Sequence, residues 1–284
     1  MSDSICPPPS ATSWSDQPAT GRMPVLFVGH GSPMNVIEDN HWRQRWQALG
    51  SELLARAQPP RLILCISAHW LTPGWQLTAM DKPRTIHDFG GFPQALFDQQ
   101  YPAPGSSAMA RAISGAVRQP GSGRALGLDE DAWGLDHGSW SVLCHAFADA
   151  DIPLLQLSID SRQSPAWHFA LGQQLAFLRE QGVLIAGSGN IVHNLARIDW
   201  QDGPPQLPAR QFADFARKAL LARDWSALIN YQTQGTAAQF AVPHPDHYLP
   251  LLYVIGASLQ SEEITFSNDA LTYGSLDMLS VRFG

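Results

Sequence analysis

The stretch VLFVGHGSPMNV, residues 25–36, sets an apolar run against a bare turn in which His30 stands between Gly29 and Gly31. A short, unbroken apolar run closed by glycine reads as a buried strand, and this one ends on an imidazole. The arrangement returns along the chain. HWRQRWQALGSELLARA, residues 41–57, carries apolar side chains at helical spacing, and Pro59 and Pro60 close it before RLILCISAHW, residues 61–70, a second buried strand. DIPLLQLSID (151–160) and GVLIAGSGN (182–190) repeat the run and turn, with the helix-like SPAWHFALGQQLAFLREQ between them. Strands alternating with helices in this way predict an α/β layered fold. LPLLYVIGASL, near the C-terminus, fits a helix and a strand equally, because periodicity does not separate short apolar runs.

A chain of 284 residues that is 44% hydrophobic can bury one large core. One domain is expected over residues 23–284, after a Pro/Ser-rich tail at 1–22 that has the apolar segment of neither a signal peptide nor a membrane anchor. The net charge of -7 and the lack of any Lys/Arg run argue against nucleic acid or an anionic membrane as partner and point to a small molecule. Cys6, Cys65 and Cys144, without CxxC spacing, argue against a disulfide framework and a thiolate zinc site, and for a cytoplasmic setting.

Of the ten histidines, His30, His69, His193 and His247 fall just past or beside expected strand ends. In open α/β sheets the loops beyond the carboxyl ends of the strands form the ligand crevice, so these four can converge. Neutral imidazoles suit zinc, iron, copper and nickel, and three protein ligands leave positions open for substrate or oxygen. Spacing does not name the metal. GHGS and GSGN lack the spacing of a phosphate-binding loop, which argues against a nucleotide. Asp129, Glu130 and Asp131 read as a solvated loop. HDFGGFP, residues 87–93, reads either as a turn with buried aromatics or as a pocket loop that sorts substrates. His41, His145 and His168 lie in helix-like stretches and carry no assigned role.

GHGSPMN, SAHW, TIHDFGGFP, YPAPG, GLDHGSW, GSGNIVHN and PDHYLPLLYVIGA, in that order, resemble the class III extradiol ring-cleavage dioxygenases, in their 4,5-DOPA dioxygenase branch of bacteria and betalain-making plants. The similarity runs from about Met23 to the C-terminus. It implies a compact α/β domain with a mixed central sheet flanked by helices, a mononuclear non-haem iron(II) site, and oxygen-dependent opening of a DOPA-like catechol ring. Carried over by motif, His30, His69 and His247 become metal ligands. His193 becomes the catalytic base, or a fourth ligand in a zinc-loaded resting protein. His137 becomes a catalytic, substrate-contacting residue, with Trp133, Trp140 and Phe92 as pocket walls.

The wider superfamily holds iron with two histidines and a carboxylate, so a histidine at the third position leaves the site one charge more positive. That change favours a catecholate dianion, and it also favours zinc, which is expected in purified protein. His244 is the rival for the third position; PDHYLP is the better motif match for His247. Two other functions share these residues: a zinc hydrolase with a metal-bound hydroxide, and a non-enzymatic binding protein on the same fold. GSGNIVHN and DFGGFP weigh against the second.

Overall fold

The computed structural model describes residues 21–284; positions 1–20 of the expected tail lie outside the described residues. Alternation along the first buried runs decides how the layers stack. In β1 (Val25–Gly29), Val25 and Phe27 enter one apolar core while Leu26 and Val28 enter another. α1 (His41–Leu54) covers the second core with Trp46 and Leu53. In β2 (Leu62–Leu71), Leu62, Leu64 and Ile66 face the first core, Ile63 and Cys65 the second. A strand buried on both faces shows no polar alternation, which explains the continuous apolar runs.

The chain continues through β3 (Gln76–Thr78), α2 (Gln94–Phe97), α3 (Ser107–Ala116), β4 (Gly127–Asp129), α4 (His137–Ala146) and β5 (Leu154–Ile159). Then come α5 (Pro165–Leu175), β6 (Val183–Gly189), α6 (Leu207–Ala222), α7 (Trp225–Ile229), α8 (Thr236–Ala241) and α9 (Leu249–Ala257). The C-terminal part adds β7 (Ile264–Ser267), β8 (Leu271–Thr272), β9 (Leu276–Asp277) and β10 (Ser280–Phe283). Eight strands form one mixed sheet in the order β4-β3-β5-β2-β6-β1-β10-β7, and β8 pairs with β9 separately. The four central strands, β5, β2, β6 and β1, are parallel, while β10 runs antiparallel to β1 and β7 antiparallel to β10. Helices α5, α6, α8 and α9 close the first core; α1 and α4 close the second.

The structure refines several expected bounds. The helix at 41–57 ends at Leu54. The stretch 164–181 divides into α5 and a 3-10 segment, Ala176–Gln181, stopped by Gly182 at φ 78°. The ambiguous LPLLYVIGASL is the helix α9, with Pro250 in its first turn and every residue from Leu249 to Ala257 buried. Helix α6, whose buried side comprises Ala209, Phe212, Ala213, Ala216, Ala219 and Leu220, has no counterpart in the sequence reading. Met23 is buried, its N–H donating to the Arg179 carbonyl at 3.0 Å. Among the described residues no helix is long and apolar enough to cross a membrane.

Candidate functional site

Because β1, β6 and β2 are parallel neighbours, their carboxyl ends share one rim of the sheet. His30 follows β1 directly, and His69 lies near the end of β2. His247 arrives from another direction, on the loop ahead of α9, and not from a strand end. Its carbonyl accepts the Asn190 N–H at 2.9 Å just past β6. A Cβ at Gly189 would lie 2.1 Å from that carbonyl oxygen, so only glycine lets the loop approach this closely. One ligating nitrogen from each of His30, His69 and His247 then lies within 4.8 Å of the others.

Hydrogen bonds assign the protons on two of these rings. The Ser188 hydroxyl donates to the Gly138 carbonyl, so it accepts from His30 Nδ1, 3.0 Å away, and leaves His30 Nε2 as a lone pair. His69 Nδ1 lies 3.2 Å from Asp88 Oδ2, which commits its proton to the carboxylate and frees Nε2. With both rings in these neutral tautomers, the two Nε2 atoms face each other as lone pairs at 3.2 Å. His247 Nδ1 is buried without a hydrogen-bond partner, although Asp246 Oδ2 is 3.2 Å away. Converging lone pairs on rings oriented from behind form a donor set that fits a borderline-soft divalent cation.

Burial and neighbouring charges act differently on the three rings. Burial, reinforced by neighbouring histidines, holds the pKa of His30 and of His247 well below the ordinary value, so both are neutral donors at neutral pH. Burial also acts to lower His69, but the Asp88 hydrogen bond and the Asp136 and Asp88 charges outweigh it and the net shift is upward.

Asp88 ties two of the rings together. Its Oδ1 accepts both the backbone N–H and Nδ1–H of His137 at 2.9 Å, while Oδ2 serves His69. Burial opposes its ionisation, yet the His137 and His69 hydrogen bonds hold its carboxyl far below the usual range. Asp88, His69 and His137 form a second close group of ligating atoms, and Asp88 is already committed to ring N–H donors within it. His137 is placed by its helix: Asp136 caps α4 by accepting from Ser139 N–H at 3.2 Å, and its other oxygen accepts from Gln156 Nε2 at 2.6 Å.

His193 is anchored by its N–H, which donates to the Ala241 carbonyl at 2.8 Å. Its ring stacks on His247 and joins neither close group found among the described residues. Burial lowers its pKa to about 4, so it is a free base at neutral pH.

Above these rings opens a cavity of about 330 Å³, lined by His30, His137, His193 and His247 at one end and by Phe89 and Phe92 along one wall. The expected Phe92 and His137 therefore lie in the pocket. Trp133 does not: it stacks on Trp70, 2° from parallel, beside a separate cavity that also contains Asp129, Glu130 and Asp131. Its indole N–H donates to Asp136 Oδ2 at 3.3 Å. Trp140 is fully buried beneath the pocket loop, donating to the Ile86 carbonyl at 2.8 Å. His244 is exposed and outside both groups. Asp88, Leu195, Ile198, Trp200 and Tyr273 belong to the cavity and escaped the sequence reading as individual site residues. Asp88 alone carried a signal, inside HDFGGFP. Backbone and packing require the glycines around His30: Gly31 adopts φ +62°, and a Cβ at Gly29 or Gly31 would collide with Met278.

A family model described as the catalytic LigB subunit of aromatic ring-opening dioxygenase matches residues 24–284, and the chain belongs to this family. It is 48% identical over 269 residues to the 4,5-DOPA dioxygenase extradiol of Escherichia coli (strain K12), covering 93% of this chain and 95% of the relative. The protein of the same name from Beta vulgaris is 33% identical over 261 residues, covering 91% and 96%. The crystal structure of an uncharacterized Escherichia coli K12 protein superimposes with a TM-score of 0.79 at 42% identity, covering 93% of this chain and all of the other.

Proposed function

We propose that this chain is a metal-dependent extradiol dioxygenase that opens a catechol ring with O2, with DOPA, named in its relatives, as the model substrate. His30, His69 and His247 would hold the metal. The observation that carries the proposal is the pair of imidazole Nε2 atoms 3.2 Å apart, each with its Nδ1 proton committed elsewhere. Iron(II) bound there would supply chelation of the catechol oxygens and the redox change that activates oxygen, a change zinc lacks.

The chain's own residues account for the rest. His193, neutral and lining the cavity, takes a proton from a catechol hydroxyl and returns it later in the reaction. Asp88 fixes Nδ1–H of His137, leaving that ring's Nε2 as the unprotonated atom of a cavity-lining histidine. Phe89 and Phe92 hold an aromatic ring and exclude water. The free thiols of Cys65 and Cys144 support a cytoplasmic setting.

The test is anaerobic reconstitution of metal-free protein with iron(II) or zinc, followed by catechol and oxygen. Iron protein should consume oxygen as visible absorbance of a ring-opened product appears, and zinc protein should do neither. Equal turnover with zinc, or no oxygen uptake by iron protein with any catechol, overturns the proposal.

A further inference from the structure

Asp136 is fully buried, and all of its partners are neutral. Oδ1 accepts from the Ser67 hydroxyl at 2.6 Å and from the Ser139 N–H at 3.2 Å; Oδ2 accepts from Gln156 Nε2 at 2.6 Å and from the Trp133 indole at 3.3 Å. Four donors fill the lone-pair sites of both oxygens, so the group is purely an acceptor and carries its charge. Among the described residues no Lys or Arg forms an ion pair with it, and residues 1–20 contain neither type. A buried anion held only by neutral donors keeps its charge unbalanced, and the low dielectric around it carries that field to its neighbours.

The nearest neighbour of consequence is the His69 ring. Ser67 Oγ, which donates to Asp136, accepts the His69 backbone N–H at 3.2 Å. Gly138 shows how closely the parts pack, because a Cβ there would stand 2.7 Å from His69 Cδ2 and 3.3 Å from Asp136 Oδ1. Cδ2 is bonded to Nε2, the nitrogen that faces His30. On the metal-site reading given above, on which this inference rests, three neutral imidazoles bring a divalent ion no charge of their own. We propose that Asp136, besides capping α4, is a counter-charge of that ion, acting through space from behind His69 to raise metal affinity and to favour the higher oxidation state of iron. With Asp88, whose oxygens hold His69 and His137, it balances the two positive charges of the ion.

Asp136→Asn alone would aim an amide at two donors and disturb the fold, so the test transposes the pair. Asp136→Asn combined with Gln156→Glu reverses their hydrogen bond, keeps the cap and the total charge, and takes the charge off the oxygen beside Ser67 and His69. Ser67→Ala does the opposite, deleting the hydrogen-bonded link to His69 while the charge stays. Two quantities are read: zinc affinity by competition with a chelator, and the Fe(III)/Fe(II) midpoint potential of the iron protein. The transposed variant should lose about 10–100-fold in zinc affinity, the scale of other supporting carboxylates. Its midpoint potential should rise, because losing a nearby negative charge costs the trivalent ion more than the divalent one. Ser67→Ala should stay within about threefold of wild-type affinity, the loss of one hydrogen bond, and hold the potential. A folded transposed variant with wild-type affinity and potential overturns the inference, and so does a Ser67→Ala protein that loses as much affinity as the transposed one. Neither measurement needs turnover: wild-type protein that binds neither metal overturns the metal-site reading instead, and iron protein that opens no catechol overturns the ring-cleaving reading while the affinity comparison still decides the role of Asp136.

Discussion

His193 and His247 lie face to face, with ring centroids 3.4 Å apart and planes 5° from parallel. An imidazole lone pair lies in the plane of its ring, so an ion in the plane of His247 sits about one stacking distance above or below the plane of His193. Both rings cannot ligate one ion in this arrangement, since a metal-nitrogen bond is only about 2.0–2.1 Å long and directed along the lone pair. The stack places a neutral base beside the donor cluster without making it a member.

His193→Ala should therefore keep its metal and bind catechol anaerobically, yet lose about 10²–10⁴-fold in rate, the usual contribution of general acid–base catalysis. Metal content and anaerobic binding measured on one preparation check this. An iron-free variant whose turnover returns with added iron(II) would make His193 a ligand.

Alanine at His30, His69 or His247 should each abolish stoichiometric metal binding, because among the described residues these three donors form that group within 4.8 Å. His244→Ala should leave it intact, its side chain being exposed and outside the cluster. Elemental analysis decides, and a full complement of metal in His247→Ala alongside an empty His244→Ala would reverse the assignment.

Asp88 orients the His69 ring from behind and holds the His137 ring as well. Asp88→Asn keeps the shape but weakens both hydrogen bonds, so metal affinity should fall by about 10–100-fold, as for other supporting carboxylates. Competition against a chelator of known affinity measures the drop. Unchanged affinity would show that the neighbouring packing alone fixes His69.

His168 gives a prediction away from the metal. Its Nδ1 pairs with the Tyr253 hydroxyl at 2.9 Å, its Nε2 is buried without a partner, and burial lowers its pKa from 6.5 to about 4. The unfolded chain thus binds a proton that the folded chain refuses between those values. Stability is full above pH 6.5, declines as pH falls toward 4, and is flat with respect to this group below that; the loss is about 3 kcal/mol. Urea unfolding of metal-free protein at pH 7 and pH 4 should show His168→Gln losing about 3 kcal/mol less than wild type. Parallel acid limbs for the two proteins would assign the loss to other groups.

The layered fold was legible because strand and helix signals are local. Residues 25–36, 61–70, 151–160 and 182–190 each carry a short apolar run, and each coincides with a central parallel strand, β2 running one residue further to Leu71. A run buried on both faces, however, has no period to distinguish it from a buried helix, and LPLLYVIGASL stayed ambiguous until packing showed it as α9. The β3 and β4 segments span only three residues each, too few for a pattern to emerge.

Motif order within the sequence singled out His30, His69, His193, His247 and His137, since each sits inside a short recognisable motif that survives as a local signature. Tertiary structure decided what those residues do to one another. Only folding brings the Asp88 carboxylate, from a loop, between His69 in a strand and His137 at a helix start. Only folding stacks His193 on His247 and turns Trp133 toward Trp70 instead of the cavity. Leu195, Ile198 and Trp200 carry no chemical signal in sequence; they become a wall because the loop after β6 closes over the rim of the sheet. Residue type and short-range spacing are written along the chain, whereas distances and proton positions among residues far apart in sequence depend on how the layers pack.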